Sequence, residues 1–178
     1  MRLVLAISGA SGVGLAVKFV EYLPVEKSDI ELHVIVSDNA LRVAHHEMQR
    51  HKIITHHNNN IAASIASGSF QVDATAIIPC SMNTLAKVAH GIADNLITRV
   101  ASVALKEQKK LLLAPREMPL SAIALDNMYK LSTLGVTISP PMLGYYSDSD
   151  SIADMERFII GKWYDTLGIR HELYKRWS

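Results

Sequence analysis

Short, continuously apolar runs alternate with longer stretches of helical spacing along this chain, and that alternation restricts the fold more than any other feature. Residues 2–8, 31–37, 75–78 and 110–115 are such runs, each ending at glycine, serine or proline, and a shorter one at 135–139 is halted by Pro140 and Pro141. They are rich in Val, Ile and Leu and show little polar alternation, as expected of strands buried on both faces. Between them, residues 12–23, 38–49, 95–107, 119–134 and 151–167 carry apolar side chains at helical spacing. Asp38 stands where an N-cap belongs, and Pro119 where a first-turn proline is tolerated. The pattern predicts an α/β fold, a parallel sheet covered by helices on both faces, in a single domain over residues 1–178. Residues 51–70, with a polar HHNNN and a glycine-serine SIASGSF, read as a connection, near a ligand or simply on the surface.

Composition narrows the function classes. The formal net charge is +1, which offers no general attraction to nucleic acid or anionic lipid, so any basic cluster is a local site. Cys80 is the one cysteine, so no internal disulfide forms and no CxxC metal spacing exists. This fits a reducing compartment. No apolar run approaches the roughly 20 residues that span a bilayer. A soluble, cytoplasmic protein is expected.

Parallel α/β sheets bind ligands beyond the carboxyl ends of their strands. The segments to examine are therefore 8–14, 37–39, 80–84 and 116–117. Gly9-Ala10-Ser11-Gly12-Val13-Gly14 follows the first strand and opens a helix, where backbone N–H groups can approach a phosphate or a flat ring. Its spacing is neither the dinucleotide GxGxxG nor a P-loop, and a plain tight turn accounts for it equally well. Cys80-Ser81-Met82-Asn83-Thr84 puts hydroxyls and amides at another strand end. Cys80 has no evident activating base and reads as a small packed hydrophobe. Arg99 and Lys106 lie seven residues apart, on one helical face, while Arg116 closes an apolar strand beside Pro115. Cations gathered at a strand end suit a phosphate or pyrophosphate. His45, His46, His51, His56, His57 and His90 form no HExxH and pair with no carboxylate at ligand spacing, so no metal is expected. From residues alone the reading reaches an anionic, phosphorylated ligand at the strand ends, and no reaction.

Taken in order, the segments ISGASG, VSDNA, SIASGSF, PCSMNTLAKVAHGIADNL, TRVASVALKEQKKLLLAPREMPL, LGVTISPPMLGYY and a final KRW resemble the UbiX-type flavin prenyltransferases, long described as aromatic acid decarboxylases, from about Met1 to Trp177. The PCSxxTL block with ALKE and PRE is the specific part. The resemblance implies a three-layer, flavodoxin-like (Rossmann-like) fold, reduced FMN as co-substrate and no metal. It implies a dodecamer with active sites built between subunits. Gly9, Ala10, Ser11, Ser37, Ser81, Met82, Asn83, Thr84 and Arg116 would contact FMN, with Ser11 beside flavin N5. Arg99, Lys106, Arg116, Tyr146 and Lys162 would surround the phosphate of dimethylallyl phosphate, together with Glu117. Glu47 would be the acid–base carboxylate. Lys162 stands where some members have arginine, keeping the charge but losing the bidentate fork.

The implied reaction ionises an allylic phosphate, with the cations stabilising the departing group, and joins the allyl carbons to N5 and C6 of the flavin. The product would serve a UbiD-type decarboxylase. The residues do not distinguish monophosphate from pyrophosphate, nor one pathway from another. Two other readings are an FMN-dependent decarboxylase of cysteine-type or aromatic acids, whose PxMNxxMW pattern is not completed here, and a non-catalytic FMN-binding accessory protein.

Overall fold

The computed structural model describes residues 1–9, 12–24, 29–37, 53–144 and 151–176. Six strands form one parallel sheet: β1 (Arg2–Ile7), β2 (Glu31–Val36), β3 (Ile53–His57), β4 (Ala74–Cys80), β5 (Lys110–Pro115) and β6 (Thr137–Ile138). Their order across the sheet is β3-β2-β1-β4-β5-β6. The chain builds outward from β1 through β2 to β3, then returns to the other side of β1 with β4. The direction of winding therefore reverses between β1 and β4, where a crevice opens at the strand ends.

Five helices are described: α1 (Val13–Glu21), α2 (Met82–Ala89), α3 (Leu96–Lys106), α4 (Ala122–Thr133) and α5 (Ile152–Leu167). Alternation along the strands divides the core into two layers. Leu3, Leu5 and Ile7 face Phe19 of α1 and Ile160, Trp163 and Tyr164 of α5. Val4, Ala6 and Ile77 face Leu85 of α2, Leu96 and Val100 of α3 and Leu131 of α4. Four helices open on a side-chain cap: the Oγ atoms of Ser81, Ser121 and Ser151 and the Oδ1 of Asn95 each accept a first-turn backbone N–H. Asn95 forms a capping box with Thr98. Among the described residues no helix is long and apolar enough to cross a membrane.

Several boundaries differ from the sequence reading. β3 lies inside the segment read as a connection, its IITHH forming an edge strand with mostly exposed side chains. β4 does not stop before Pro79 but runs to Cys80, with a register shift against β5 between Ile77 and Cys80 where proline has no N–H to donate. α2 begins directly after Ser81, in a stretch to which the sequence reading gave no element. Pro119 is not in a helical first turn: Ser121 is the N-cap and α4 starts at Ala122. The helix expected over 38–49, with Asp38 as its cap, lies outside the described residues.

The edge strand is held by a histidine relay. His33, 2% exposed, faces Glu31 Oε1 through Nε2 at 2.8 Å and His56 Nε2 through Nδ1 at 3.0 Å. A carboxylate only accepts, so His33 Nε2–H donates to Glu31 and His33 Nδ1 accepts from His56 Nε2–H. Burial, and then the neighbouring His33, hold the His56 imidazole below its ordinary pKa. The folded state therefore binds fewer protons at this site than the unfolded chain. The stability it contributes is complete above the unfolded value of about 6.5 and is lost as pH falls from there through the folded value. The urea midpoint is expected to drop between about pH 7.5 and about pH 5.5, and a His56→Asn variant should show a flatter profile. Equal slopes in the two proteins would remove this assignment.

Past α5 the tail folds back onto it. Asp165 accepts from His171 Nε2 at 3.1 Å, from Arg176 Nη2 at 2.6 Å and from the Tyr174 hydroxyl. Burial pushes the Asp165 carboxyl up, but the hydrogen bonds of Arg176, Tyr174 and His171 outweigh it and hold the group at about 2. Gly161 makes the fit possible: a Cβ there would lie 2.5 Å from Tyr174 Cδ1 and 2.8 Å from His171 Cε1.

Candidate functional site at the strand ends

Four neighbouring strands end in a row of polar residues. In sheet order they are Ser37 after β2, Ser8 and Gly9 after β1, Ser81 after β4 and Arg116 after β5. Adjacent strands lie about 4.8 Å apart, so the row is roughly 14 Å long, the dimension of a fused ring system rather than of a single phosphate.

Backbone bonds continue the ladder past the strand ends and hold this row. Ser37 N donates to Ile7 O at 3.1 Å, Ser8 N to Pro79 O at 3.3 Å and Arg116 N to Cys80 O at 3.3 Å. Ser8 also spans the crevice itself. Its Oγ donates to Pro79 O at 2.8 Å and accepts from Ser81 N at 2.8 Å. Ser8 was not among the expected site residues, although its place directly after β1 marked it for inspection.

Two helix N-termini meet at this crevice. α1 starts from Gly12, whose φ of +113° is a left-handed conformation open to glycine at little cost, and a Cβ there would lie 3.8 Å from Pro79 Cβ. α2 starts from Ser81, whose Oγ accepts from Thr84 N at 3.2 Å and donates to Thr84 Oγ1 at 3.0 Å. Free first-turn amides and the positive ends of both dipoles favour an anion between them. Met82 and Thr84 are half-buried and Asn83 is exposed.

Ser37 bears most directly on whether a ligand fits. Its Oγ is a buried side-chain oxygen with no hydrogen-bond partner among the described residues. Such an atom costs about 1–3 kcal/mol unless something pairs with it. A ligand lying along the row would supply that partner. Arg116 is exposed at the other end of the row, and its guanidinium pairs with no described residue. Glu117 Oε1 accepts from Met118 N at 3.1 Å.

The other expected cations do not converge here within one chain. Arg99 sits in the first turn of α3, where its Nε donates to Ala66 O at 3.4 Å. Lys106 ends α3 and pairs with Glu107 at 2.8 Å, four residues before β5 begins. That places it at the amino edge of the sheet, a strand length from Arg116. Lys162 is exposed on α5, which covers the opposite face of the sheet from α3. Ala10, Ser11, Glu47 and Tyr146 lie outside the described residues.

Cys80 is buried, and burial pushes its thiol up to about 12, so no thiolate nucleophile forms near neutral pH. Among the described residues, no group of three or more His, Cys, Asp or Glu is arranged to hold a metal ion.

Ser81 joins the helix cap to the crevice. Ser81→Ala is expected to cost about 1 kcal/mol of stability through the lost cap. A several-fold loss of flavin affinity in the same variant, measured by fluorescence titration, would mark Ser81 as a ligand contact as well. Unchanged affinity with lowered stability would restrict Ser81 to a capping role.

Comparison with known proteins fits this geometry. The family model described as Flavoprotein matches residues 1–160. The flavin prenyltransferase UbiX of Helicobacter pylori strain J99 is 49% identical, over 100% of this chain and 99% of its own. A dodecameric FMN-dependent UbiX-like decarboxylase from Escherichia coli O157:H7 superposes with a TM-score of 0.90 at 37% identity, over 100% of both chains. AnUbiX, solved in complex with FMN and dimethylallyl pyrophosphate, superposes with a TM-score of 0.89 at 34% identity, over 99% of this chain and 97% of its own. A protein with this sheet, this crevice and such relatives over its whole length belongs to the Flavoprotein family and, within it, to the UbiX flavin prenyltransferases.

Proposed function

We propose that this protein is a flavin prenyltransferase that joins the dimethylallyl group of dimethylallyl phosphate to reduced FMN, giving prenylated FMN. The observation that carries the reading is the row of strand ends at the β1/β4 crevice, with a buried Ser37 hydroxyl at one end and the Arg116 guanidinium at the other, neither paired among the described residues. Within this row, Gly9, Ser81, Met82, Asn83 and Thr84 present amides and hydroxyls to the flavin, with Ala10 and Ser11 assigned to the same loop by family pattern. Bound reduced flavin supplies the electron-rich ring that takes up the allyl group.

The protein's part is to place charge and exclude water. Arg116, Arg99, Lys106 and Lys162, with the Tyr146 hydroxyl, stabilise charge developing on the departing phosphate; each such group contributes most in a dry, preorganised site. Glu47 accepts the proton released on the flavin side, and Glu117 orients the donor. Because Lys106 lies a strand length from Arg116 in one chain, the complete set requires neighbouring copies, in keeping with a homo-oligomer, here a dodecamer. Side chains supply the positive charge, so the reading needs no metal. A single buried cysteine and a reduced co-substrate suit the cytoplasm. The product is a cofactor, and its consumer is a separate decarboxylase of the UbiD type.

Release of the leaving group tests this reading. Inorganic phosphate should appear from dimethylallyl phosphate only when protein and reduced FMN are both present. Release that ignores the flavin would mark a phosphatase instead. Pyrophosphate release from dimethylallyl pyrophosphate, at a comparable rate, would assign the larger donor.

A further inference from the structure

The ladder between β1 and β4, the two strands that flank the crevice, ends early. Its last register pair is Ala6 opposite Ile77, although β4 runs on to Cys80. Pro79 has no N–H to carry it further. Past that point Ser8 joins the two strands. Its backbone N–H and its hydroxyl both donate to Pro79 O, at 3.3 and 2.8 Å, and the same hydroxyl oxygen accepts from Ser81 N at 2.8 Å. Ser8 is 2% exposed, and its single hydroxyl proton is committed to Pro79. This hydroxyl therefore serves the protein's own backbone rather than a ligand.

What it holds are two neighbouring members of the row. Gly9 follows it directly, and Ser81 carries the amide it accepts from. Ser81 Oγ in turn caps α2 through Thr84 N at 3.2 Å. On the other side, α1 starts from Gly12, where a Cβ would lie 3.8 Å from the Cβ of Pro79, whose carbonyl accepts from Ser8. The starts of α1 and α2, the two helix ends that favour an anion, are thus set by one buried hydroxyl.

We propose that Ser8 is a positioning residue for the flavin: without touching FMN, it fixes the distance between the Gly9 segment and the start of α2, so that both meet the ligand at once. This rests on the reading that FMN lies along the row of strand ends. Without the hydroxyl, Ser81 N–H is a buried donor that has lost its acceptor, and it finds another only if the start of α2 shifts against β1. Affinity then falls with the share of molecules still in the competent arrangement.

Paired variants test it. Ser8→Thr and Ser8→Val have the same shape, and only threonine keeps a hydroxyl. In a fluorescence titration the Kd for FMN is expected to be about tenfold higher in Ser8→Val than in Ser8→Thr, the scale of one hydrogen bond to a buried amide. The number of sites titrated should be the same in both. A purely structural loss does the opposite, lowering the number of sites while Kd stays, and that result would overturn the proposal, as would equal Kd values. If the added methyl keeps both variants from folding, Ser8→Ala against the unaltered protein reads the same difference. Arg116→Ala separates the proposal from the reading beneath it. Equal Kd in the Ser8 pair, with FMN binding weakened in Arg116→Ala, removes the role of Ser8 and leaves the flavin in the crevice. Unchanged Kd in all three variants puts the flavin elsewhere, and both ideas fall.

Discussion

Replacing Lys106 with alanine should lower turnover by about 10²–10³-fold, the usual cost of removing one group that stabilises charge in the transition state. FMN affinity should change little, because the crevice proposed for the flavin is built from β1, β2, β4 and β5 of a single chain, while Lys106 lies at the other edge of the sheet. The two readouts together are diagnostic. A misfolded variant would lose both, whereas a lost phosphate contact spares binding and removes chemistry. The composite geometry adds a further expectation. Inactive Lys106→Ala copies, reassembled with copies inactivated at Arg116, should regain part of the activity, since some interfaces then combine an intact crevice with an intact lysine. Failure to regain any activity from fully mixed assemblies would place both residues in one chain's site.

The largest effect on stability is expected at Trp163. This side chain is 1% exposed, packs in the layer between the sheet and helices α1 and α5, and points its Nε1–H at Ser139 O and Ser139 Oγ, both at 3.1 Å. Trp163→Ala removes the largest fully buried side chain of that layer and leaves two acceptors after β6 without their donor. A loss of about 3–5 kcal/mol follows from the cavity alone. Trp163→Phe keeps most of the volume and should lose the smaller part attributable to the hydrogen bond, about 1 kcal/mol. Chemical denaturation separates the two.

Much of this architecture could be read from the chain before its coordinates. Four of the six strands stand out because a parallel strand buried on both faces has no reason to alternate, and continuous Val-Ile-Leu runs are then the clearest signal a sequence offers; β6, a half-buried edge strand, is marked instead by the prolines that halt it. β3 was lost for the complementary reason: as an edge strand with exposed side chains, its IITHH merges into the polar HHNNN that follows. α2 was missed because it starts directly at the strand end, where attention fell on Ser81 to Thr84 as a ligand segment, and the cap shows only when Ser81 Oγ is seen to accept from Thr84 N. Pro119 misled because a proline close to a helix start is ambiguous by a turn, and only the Ser121 cap decides it.

The row of site residues followed from the rule that ligands sit at strand carboxyl ends, which needs only the order of elements. What the spacing of Arg99 and Lys106 could not convey is where the helix lies against the sheet. Seven residues place them on one face but about 10 Å apart along the axis, enough to carry Lys106 to the far edge of the sheet. On the proposed function, that separation is why Lys106 would serve a neighbouring copy's crevice rather than its own.

The central claim is transfer of a dimethylallyl group to flavin, and mass spectrometry of the flavin tests it most directly. Protein is incubated without oxygen with reduced FMN and dimethylallyl phosphate, and the flavin is extracted. The account predicts a flavin heavier by one dimethylallyl-derived unit, formed only with protein and strongly reduced in Lys106→Ala. Recovery of unmodified FMN alone, from assembled protein shown to bind it and supplied with either the monophosphate or the pyrophosphate, would contradict the account.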